Sequence, residues 1–176
     1  SCKQAKKEAE ETTEEVEDTV EQVAEKIDPE VITFTMDPKS DSNVSGEVMF
    51  TQDGGEVIMR ATFLGLDEGE HAIHLHEKAD CSSPDGKSTG GHWNPTHEPH
   101  GKWGSEDGYH KGDIGNFTAD ADGNATVEFS TDEWCIGCGD EKKDILGKAV
   151  IVHQGTDDYT SQPSGAAGTR IACTGI

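Results

Sequence analysis

The chain has 176 residues, enough for one core domain and a short appendage. Its 36 acidic and 14 basic residues give a formal net charge of −22, which argues against nucleic acid as a partner because phosphate binding requires a basic surface. No stretch approaches the roughly 18 consecutive apolar residues of a membrane-spanning helix, and the 21 glycines favour a turn-rich β fold.

Residues 1–28 differ in composition from the rest of the chain. They contain ten acids and four lysines, and apolar residues recur at helical spacing in their second half. Asp28-Pro29 marks a boundary because proline disfavours helical backbone at the residue before it. We expect an acidic, partly helical or disordered tether over 1–28 and a core domain over 29–176. The alternative for the first part is an amphipathic helix docked on the domain.

The five cysteines are an odd number, which suggests that one has a separate role. Cys2 is isolated in the acidic segment and is the candidate for the lipidated cysteine of a bacterial lipoprotein. The alternative is an incidental exposed thiol. Lipidation would attach the chain peripherally to a membrane, and we therefore expect a protein of the periplasm or cell envelope of a Gram-negative bacterium.

From Val31 onward the hydrophobic pattern changes to the alternation of β-strands. We predict eight strands, at 31–36, 46–52, 56–64, 71–76, 113–117, 125–129, 148–153 and 169–173. Glycine-containing turns at 53–55 and 121–124 predict hairpins that join the second strand to the third and the fifth to the sixth. Eight short strands with such turns are typical of an all-β sandwich or barrel.

Most of the eight histidines fall between residues 71 and 110. His74 and His76 form an H-x-H on the fourth predicted strand, and side chains two apart share one face, so both imidazoles can face one metal ion. A connection of about 35 residues follows, a length usually associated with function. Further candidate ligands lie along it and beyond it: His92, His100, His110, Asp113 and His153. The grouping predicts a metal-binding region.

Five segments, in the same order along the chain, resemble the copper/zinc superoxide dismutase family. They are HAIHLHE (71–77), GHWNP (91–95), HKGDIGN (110–116), IVH (151–153) and GTRIAC (168–173). The resemblance covers about residues 30–176. It implies an eight-stranded Greek-key β-barrel or sandwich of immunoglobulin-like type with a long metal-binding loop. It also implies dismutation of superoxide to oxygen and hydrogen peroxide by Cu(II)/Cu(I) cycling, with a structural zinc ion.

The same resemblance implies two metal sites that share one histidine. The copper ligands would be His74, His76, His92 and His153, and the zinc ligands His92, His100, His110 and Asp113. These sets suit the metals, because Cu(II) favours tetragonal nitrogen ligands, whereas three imidazoles and one carboxylate close a tetrahedral zinc site. His92 would also be catalytic, taking up a proton when copper is reduced and returning it on reoxidation.

Other residues receive roles from the resemblance. Asp157 would hydrogen-bond ligands of both metals, and Arg170 would dock the anionic substrate beside copper. A disulfide between Cys81 and Cys173 would pin the loop that carries His92 to the barrel.

Three further features lie outside the ligand sets. His71 is expected to be structural and His97 to be a solvated loop residue. Cys135-Ile136-Gly137-Cys138 has no counterpart in the general family pattern. No βαβ unit surrounds it, as a thioredoxin-like site would require, and two ligands do not complete a zinc site. We expect a local disulfide between Cys135 and Cys138.

The charge of the domain opposes an anionic substrate. Residues 29–176 carry 26 acids and 10 bases, so local attraction by the metals and Arg170 has to outweigh the global repulsion. The segment 158–169 contains no lysine, which leaves Lys87, Lys102 and Lys111 as substitutes for the lysines that often assist in the family.

Two other functions are compatible with parts of this pattern. A non-catalytic periplasmic copper/zinc-binding module would be favoured by loss of a ligand or of Arg170, and neither is lost. A zinc hydrolase built on H-x-H lacks the further ligand spacing and an evident general base. Subunits of the family occur as monomers and as dimers, so a homodimer is one expected state.

Overall fold

A computed structural model describes residues 30–176 and contains the eight strands that the sequence predicts. They are β1 Glu30–Pro38, β2 Ser45–Asp53, β3 Glu56–Leu64, β4 Gly69–His76, β5 Gly115–Ala119, β6 Ala125–Thr131, β7 Ala149–His153 and β8 Arg170–Gly175. The part of the chain that the structure describes has no helix of the length and hydrophobicity needed to span a bilayer. The predicted tether over 1–28 and the predicted anchor at Cys2 lie outside the described residues.

The strands form one eight-stranded sheet in the order β5-β4-β7-β8-β1-β2-β3-β6. The ladders that join β1 to β8, β2 to β3, β3 to β6, β4 to β5, β4 to β7 and β7 to β8 are antiparallel. The placement of β6 beside β3 and of β7 beside β4 is that of the returning connections of a Greek key. The end strands β5 and β6 also lie close to each other, so the sheet curls into a barrel. The all-β barrel expected from the sequence is confirmed.

One of the two predicted hairpins is present. β2 and β3 pair along their full length, from Ser45 opposite Leu64 to Asp53 opposite Glu56, with two glycines at the tip. Gly54 there has φ +62°, a left-handed backbone that glycine adopts without steric cost.

The hairpin predicted between the fifth and sixth strands is wrong. A tight turn does close, because the Asp120 N–H donates to Asn124 O at 2.9 Å. However, β5 pairs with β4 and β6 with β3. The turn bonds instead to the β3–β4 connection, where the Leu66 N–H donates to Gly123 O at 3.2 Å. A Cβ at Gly123 would lie 2.7 Å from Leu66 O, so this close approach requires glycine.

The fifth strand also begins two residues later than predicted, at Gly115. Asp113 closes a turn on His110: its backbone N–H donates to His110 O at 3.1 Å, and its carboxylate accepts the His110 N–H at 2.8 Å. Asp113 is therefore a loop residue whose side chain is fixed before the strand starts.

Strand β4 separates the apolar core from the histidines. Ile73 and Leu75 belong to the buried core cluster, whereas His74 and His76 lie on the other face because side chains alternate along a strand. The outer face is buried too, since the connection 77–114 folds back over it. The Leu75 N–H donates to Gly112 O at 2.9 Å, and the Trp93 N–H donates to Leu75 O at 2.8 Å. The long connection is thus held against the strand that carries the H-x-H.

Candidate metal centre

The candidate ligands come from β4, β7 and the long connection. β7 pairs with β4, with His74 opposite Ile151, and this register brings His153 beside the H-x-H. An isolated antiparallel bridge between His76 and His92 extends the end of β4, and the Glu77 N–H donates to Gly91 O at 3.0 Å. The backbone pairing therefore delivers His92 to the same face.

The first group consists of four buried imidazoles whose ligand atoms all lie within 4.8 Å of one another: His74, His76, His92 and His153. One ring nitrogen of each is buried without a hydrogen-bond partner in the described part of the chain. These atoms are His74 Nδ1, His76 Nε2, His92 Nε2 and His153 Nε2. Leaving one such atom unsatisfied costs about 1–3 kcal/mol. Four unpartnered ring nitrogens that converge on one point fit a cation that prefers nitrogen ligands, as Cu(II) does.

The second group consists of His92, His100, His110 and Asp113, again buried and with ligand atoms within 4.8 Å of one another. His92 Nδ1 lies 3.2 Å from His110 Nδ1 and 2.9 Å from Asp113 Oδ1. His100 Nδ1 lies 3.0 Å from Asp113 Oδ2 without hydrogen-bond geometry. A tetrahedral zinc ion with bonds of about 2.0–2.1 Å separates its ligand atoms by about 3.3 Å, so these spacings fit zinc.

His92 belongs to both groups through opposite edges of one ring. Nδ1 faces Asp113 and His110, and Nε2 faces the other three histidines. The structure thus brings all seven predicted ligands together and divides them in the way that the resemblance implied.

Hydrogen bonds at the other ring nitrogens fix the orientation of the imidazoles. Asp157 bridges the groups, because its Oδ2 lies 2.8 Å from His74 Nε2 and its Oδ1 lies 2.8 Å from His100 Nε2. His76 Nδ1 lies 2.8 Å from Gly90 O, and His153 Nδ1 lies 3.1 Å from Gly168 O. An acceptor at one nitrogen holds the proton there and leaves the opposite nitrogen free to bind a metal.

Two amide side chains support this arrangement, and the sequence analysis assigned neither of them a role. Asn116 Nδ2 donates to Asp157 O at 2.9 Å, and its Oδ1 accepts the Asp157 N–H at 2.8 Å. Gln162 pairs in the same two-point way with the backbone of His100, at 2.8 Å for each bond. Asn116 lies in the HKGDIGN segment, but no local pattern marks Gln162, whose partner is 62 residues away.

Burial keeps the first group of imidazoles neutral. It lowers the pKa of His74 and His76, that of His92 to about 4 and that of His153 to about 3. Neutral imidazole is the form that binds metal ions, so protons do not compete at neutral pH.

In the second group, the Asp113 carboxylate and the His100 imidazole stabilise each other's charged form. Burial alone would raise the pKa of Asp113, but the imidazoles of His100, His110 and His92 beside its carboxylate outweigh that effect and hold the pKa far below its usual range. Burial likewise lowers the pKa of His100, yet Asp113 and Asp157 together raise it to about 9. A bound cation would take the place of the proton on His100.

Arg170 lies at the mouth of the first group. Together with His76, His92 and His153 it lines an open pocket of about 500 Å³. Its Nη1 donates to Gly90 O at 2.7 Å and to Gly86 O and Thr89 Oγ1 at 3.1 Å each, so the side chain is held by the loop before His92. Nε and Nη2 make no hydrogen bond within residues 30–176, which leaves donors that can receive an anion.

Both predicted disulfides are present. Cys81 and Cys173 are joined across 92 residues, with Cα atoms 6.0 Å apart, and the bond ties the loop before His92 to β8 three residues after Arg170. Cys135 and Cys138 form the predicted local bond.

The remaining histidines and lysines lie outside the ligand groups. His71 is buried with its ring nitrogens 2.9 Å from His153 O and 2.8 Å from Asp67 O, as expected of a structural residue. His97 is exposed, at the rim of the pocket. None of the three candidate lysines lines this pocket. Lys111 pairs with Glu133, Lys102 lies over the ring of Tyr159, and Lys87 is near Asp85.

Comparisons with known proteins agree with the resemblance found in the sequence. The family model for copper/zinc superoxide dismutase matches residues 44–176. The chain is 36% identical over 138 residues to superoxide dismutase [Cu-Zn] 2 of Aquifex aeolicus, covering 76% of this chain and 80% of that protein. It is 37% identical over 137 residues to superoxide dismutase [Cu-Zn] of Caulobacter vibrioides, covering 76% and 78%. Among solved structures, a double mutant of a SOD-like protein from Bacillus subtilis matches with a TM-score of 0.71 at 30% identity, covering 80% of this chain and 94% of that one.

Proposed function

The chain belongs to the copper/zinc superoxide dismutase family, and from this membership we propose that it converts two superoxide anions and two protons into oxygen and hydrogen peroxide. The observation that carries the proposal is the convergence of buried, unpartnered ring nitrogens into two groups that share His92, with Arg170 at the open side.

The first group would hold copper and the second zinc. Copper bound there would supply a one-electron redox couple, and zinc would supply charge without one. Arg170 would bind and orient the anion, because it lines the pocket together with His153 and its Nε and Nη2 make no hydrogen bond within residues 30–176. His92 Nε2 is the atom at which the protein can hold a proton and release it toward the pocket, because no described side chain or backbone group accepts from it.

The metal assignment is tested with His76→Ala. His76 belongs only to the first group, so this variant should lose copper and superoxide-decay activity while keeping most of its zinc. Metal analysis and a superoxide-decay assay on the purified protein make the measurement, and His97→Ala, at the rim of the same pocket, is the matched control that should keep both. Near-normal activity of His76→Ala would contradict the ligand assignment.

The alternative function is a non-catalytic copper/zinc-binding module. Such a protein would take up both metals and leave the rate of superoxide decay unchanged. The complete ligand groups and the placement of Arg170 favour the enzyme. The same assay on the fully metallated chain separates the two functions.

We also propose that the protein works in an oxidising compartment, the periplasm or cell envelope of a Gram-negative bacterium. Two disulfides support this, because such bonds persist there and are rare in the cytosol. A lipid on Cys2 would hold the protein at the membrane. Metabolic labelling with a fatty acid should mark the native protein and not Cys2→Ser. Sedimentation velocity tests the homodimer, which is one of the two states expected for the family.

A further inference from the structure

The connection between β6 and β7 carries a second cluster of candidate ligands, away from the two histidine groups. Cys135 and Cys138 are joined there by a disulfide. A carboxylate oxygen of Asp144 and the two sulfurs all lie within 4.8 Å of one another. The sequence showed two potential ligands, and the fold adds a third.

The Asp144 carboxylate is held in place as an anion. Its Oδ1 accepts the N–H groups of Gly137 at 2.9 Å and Leu146 at 3.1 Å, and its Oδ2 accepts that of Gly139 at 2.9 Å. Burial raises its pKa, but these three bonds outweigh that effect and lower it below the usual value. Each carboxylate oxygen has two lone pairs, so one on Oδ2 stays available for a cation.

The loop does not depend on the disulfide for its shape. The Cys135 N–H donates to Lys143 O at 2.8 Å, and the Ile145 N–H donates to Cys135 O at 3.0 Å. The Ile136 N–H donates to Gln52 Oε1 at 2.6 Å, and both isoleucines are buried in the core. Two cysteines three residues apart also close a very short ring, which removes far less chain entropy than the 92-residue one. Opening this bond would therefore leave both thiols close to Asp144.

The two disulfides differ in accessibility. Cys138 is exposed and Cys135 is buried, so a reductant can approach Cys138 Sγ. In the other disulfide, Cys81 is half-buried and Cys173 is fully buried in β8. Since thiol–disulfide exchange requires access to a sulfur, the Cys135–Cys138 bond should open first.

We propose that Cys135, Cys138 and Asp144 form a third metal site, which binds a thiophilic d¹⁰ cation such as Zn²⁺ after the disulfide is reduced. A thiolate of a dithiol reductant attacks Cys138 Sγ, the S–S bond breaks, and Cys135 leaves as a thiolate. The second thiol of the reductant then displaces Cys138, so two electrons pass to the protein and the reductant leaves as its own disulfide. The cation binds both thiolates and the carboxylate, and the protons of the two thiols are released. Thiolate and carboxylate ligands with a remaining open position are compatible with tetrahedral Zn²⁺.

The test uses Cd²⁺ as the probe on the copper- and zinc-loaded full chain, with Cys2→Ser in every sample so that no other free thiol remains. The protein is reduced with dithiothreitol, desalted without oxygen and titrated with Cd²⁺. Thiolate-to-cadmium charge-transfer absorption is the readout, because imidazole and carboxylate sites do not produce it. We expect one such Cd²⁺ per chain after reduction and none before, with Cys81–Cys173 intact by peptide mapping.

Two variants complete the experiment. Cys135→Ser/Cys138→Ser should abolish the absorption. Asp144→Asn should weaken Cd²⁺ binding by at least roughly 10- to 100-fold, because residues that only support a metal ligand already contribute that much. Unchanged superoxide-decay activity shows that each variant is folded. Absence of the absorption in the reduced parent, reduction of Cys81–Cys173 at the same dithiothreitol concentration, or unaltered affinity in folded Asp144→Asn would each overturn the proposal.

Discussion

The two ligand groups depend on the geometry of a single side chain. The imidazole of His92 is a rigid ring, and its Nδ1 would serve one ion while its Nε2 would serve the other. Nδ1 is already surrounded by Asp113 and His110, and Nε2 by the imidazoles on β4 and β7. A change at this residue therefore affects both groups, whereas a change at His76 affects one.

Arg170 provides the first prediction at the residue scale. Arg170→Glu should lower kcat/KM by roughly 10-fold or more while copper and zinc stay bound, because the arginine touches the pocket and belongs to neither ligand group. Arg170→Lys, which keeps the charge but loses the planar donors, should be intermediate. The measurement is superoxide decay against substrate concentration, together with metal content. Loss of copper from Arg170→Glu would mean that the residue mainly supports the site.

At the scale of elements, the connection after β7 has to pass very close to the ligands. Gly165 has φ +71°, and a Cβ there would overlap Asp157 Oδ1 and come within 2.6 Å of His100 Nε2. The loop thus closes over the bridging carboxylate at a position where only glycine fits.

This close approach predicts the effect of Gly165→Ala. The variant should lose affinity for both metals, because it displaces Asp157 from His74 and His100. Gly147→Ala is the matched control, since Gly147 has φ +83° and no atom within 4 Å of its Cβ position. Both variants carry the left-handed backbone cost of about 1–2 kcal/mol, so only the overlap differs. Equal metal affinity in the two would show that the overlap is relieved without moving Asp157.

The two disulfides give a matched pair for stability. In the chain-entropy model, Cys81→Ala/Cys173→Ala should lower the free energy of unfolding by about 4–5 kcal/mol and Cys135→Ala/Cys138→Ala by about 2 kcal/mol. The difference arises because the first bond spans 92 residues and the second three. Urea unfolding of the metal-free proteins measures both values. An equal loss in the two variants would rule out loop length as the main cause.

At the scale of the whole molecule, net charge opposes substrate capture. The chain carries −22, and within residues 30–176 no lysine lines the pocket. Attraction is therefore short-ranged, from the metals and Arg170, and repulsion is long-ranged. Raising the ionic strength from about 0.01 M to 0.15 M shortens the Debye length from about 30 Å to 8 Å and screens mainly the repulsion.

The predicted consequence is an unusual salt dependence. The rate constant for superoxide decay should stay level or rise over this range of ionic strength. Pulse radiolysis or stopped flow at several salt concentrations measures it, and metal content serves as the control. A steep, monotonic fall would show that a positive surface field, absent from the described pocket, governs capture.

The amino-acid sequence determined the elements whose signals are local. Short runs of β-forming residues predicted all eight strands, the two glycines at 54–55 specified the β2–β3 hairpin, and i, i+2 spacing put His74 and His76 on one face. Several motifs in order also carried the resemblance from which the division of the ligands came, and no local spacing reveals that division by itself.

Only the tertiary structure decided the contacts between distant segments. The turn at 121–124 has the residues of a hairpin, yet its strands pair elsewhere, because a turn fixes only the local chain direction while strand pairing depends on which faces are buried together. Gln162 hydrogen-bonds the backbone of His100, which is 62 residues away. Lys111 forms an ion pair with Glu133 and does not line the pocket. Asp144 likewise lies close to Cys135 and Cys138 only in the folded chain. Hydrogen bonds and burial bring these residues together only after the chain has folded, so local sequence patterns do not record them.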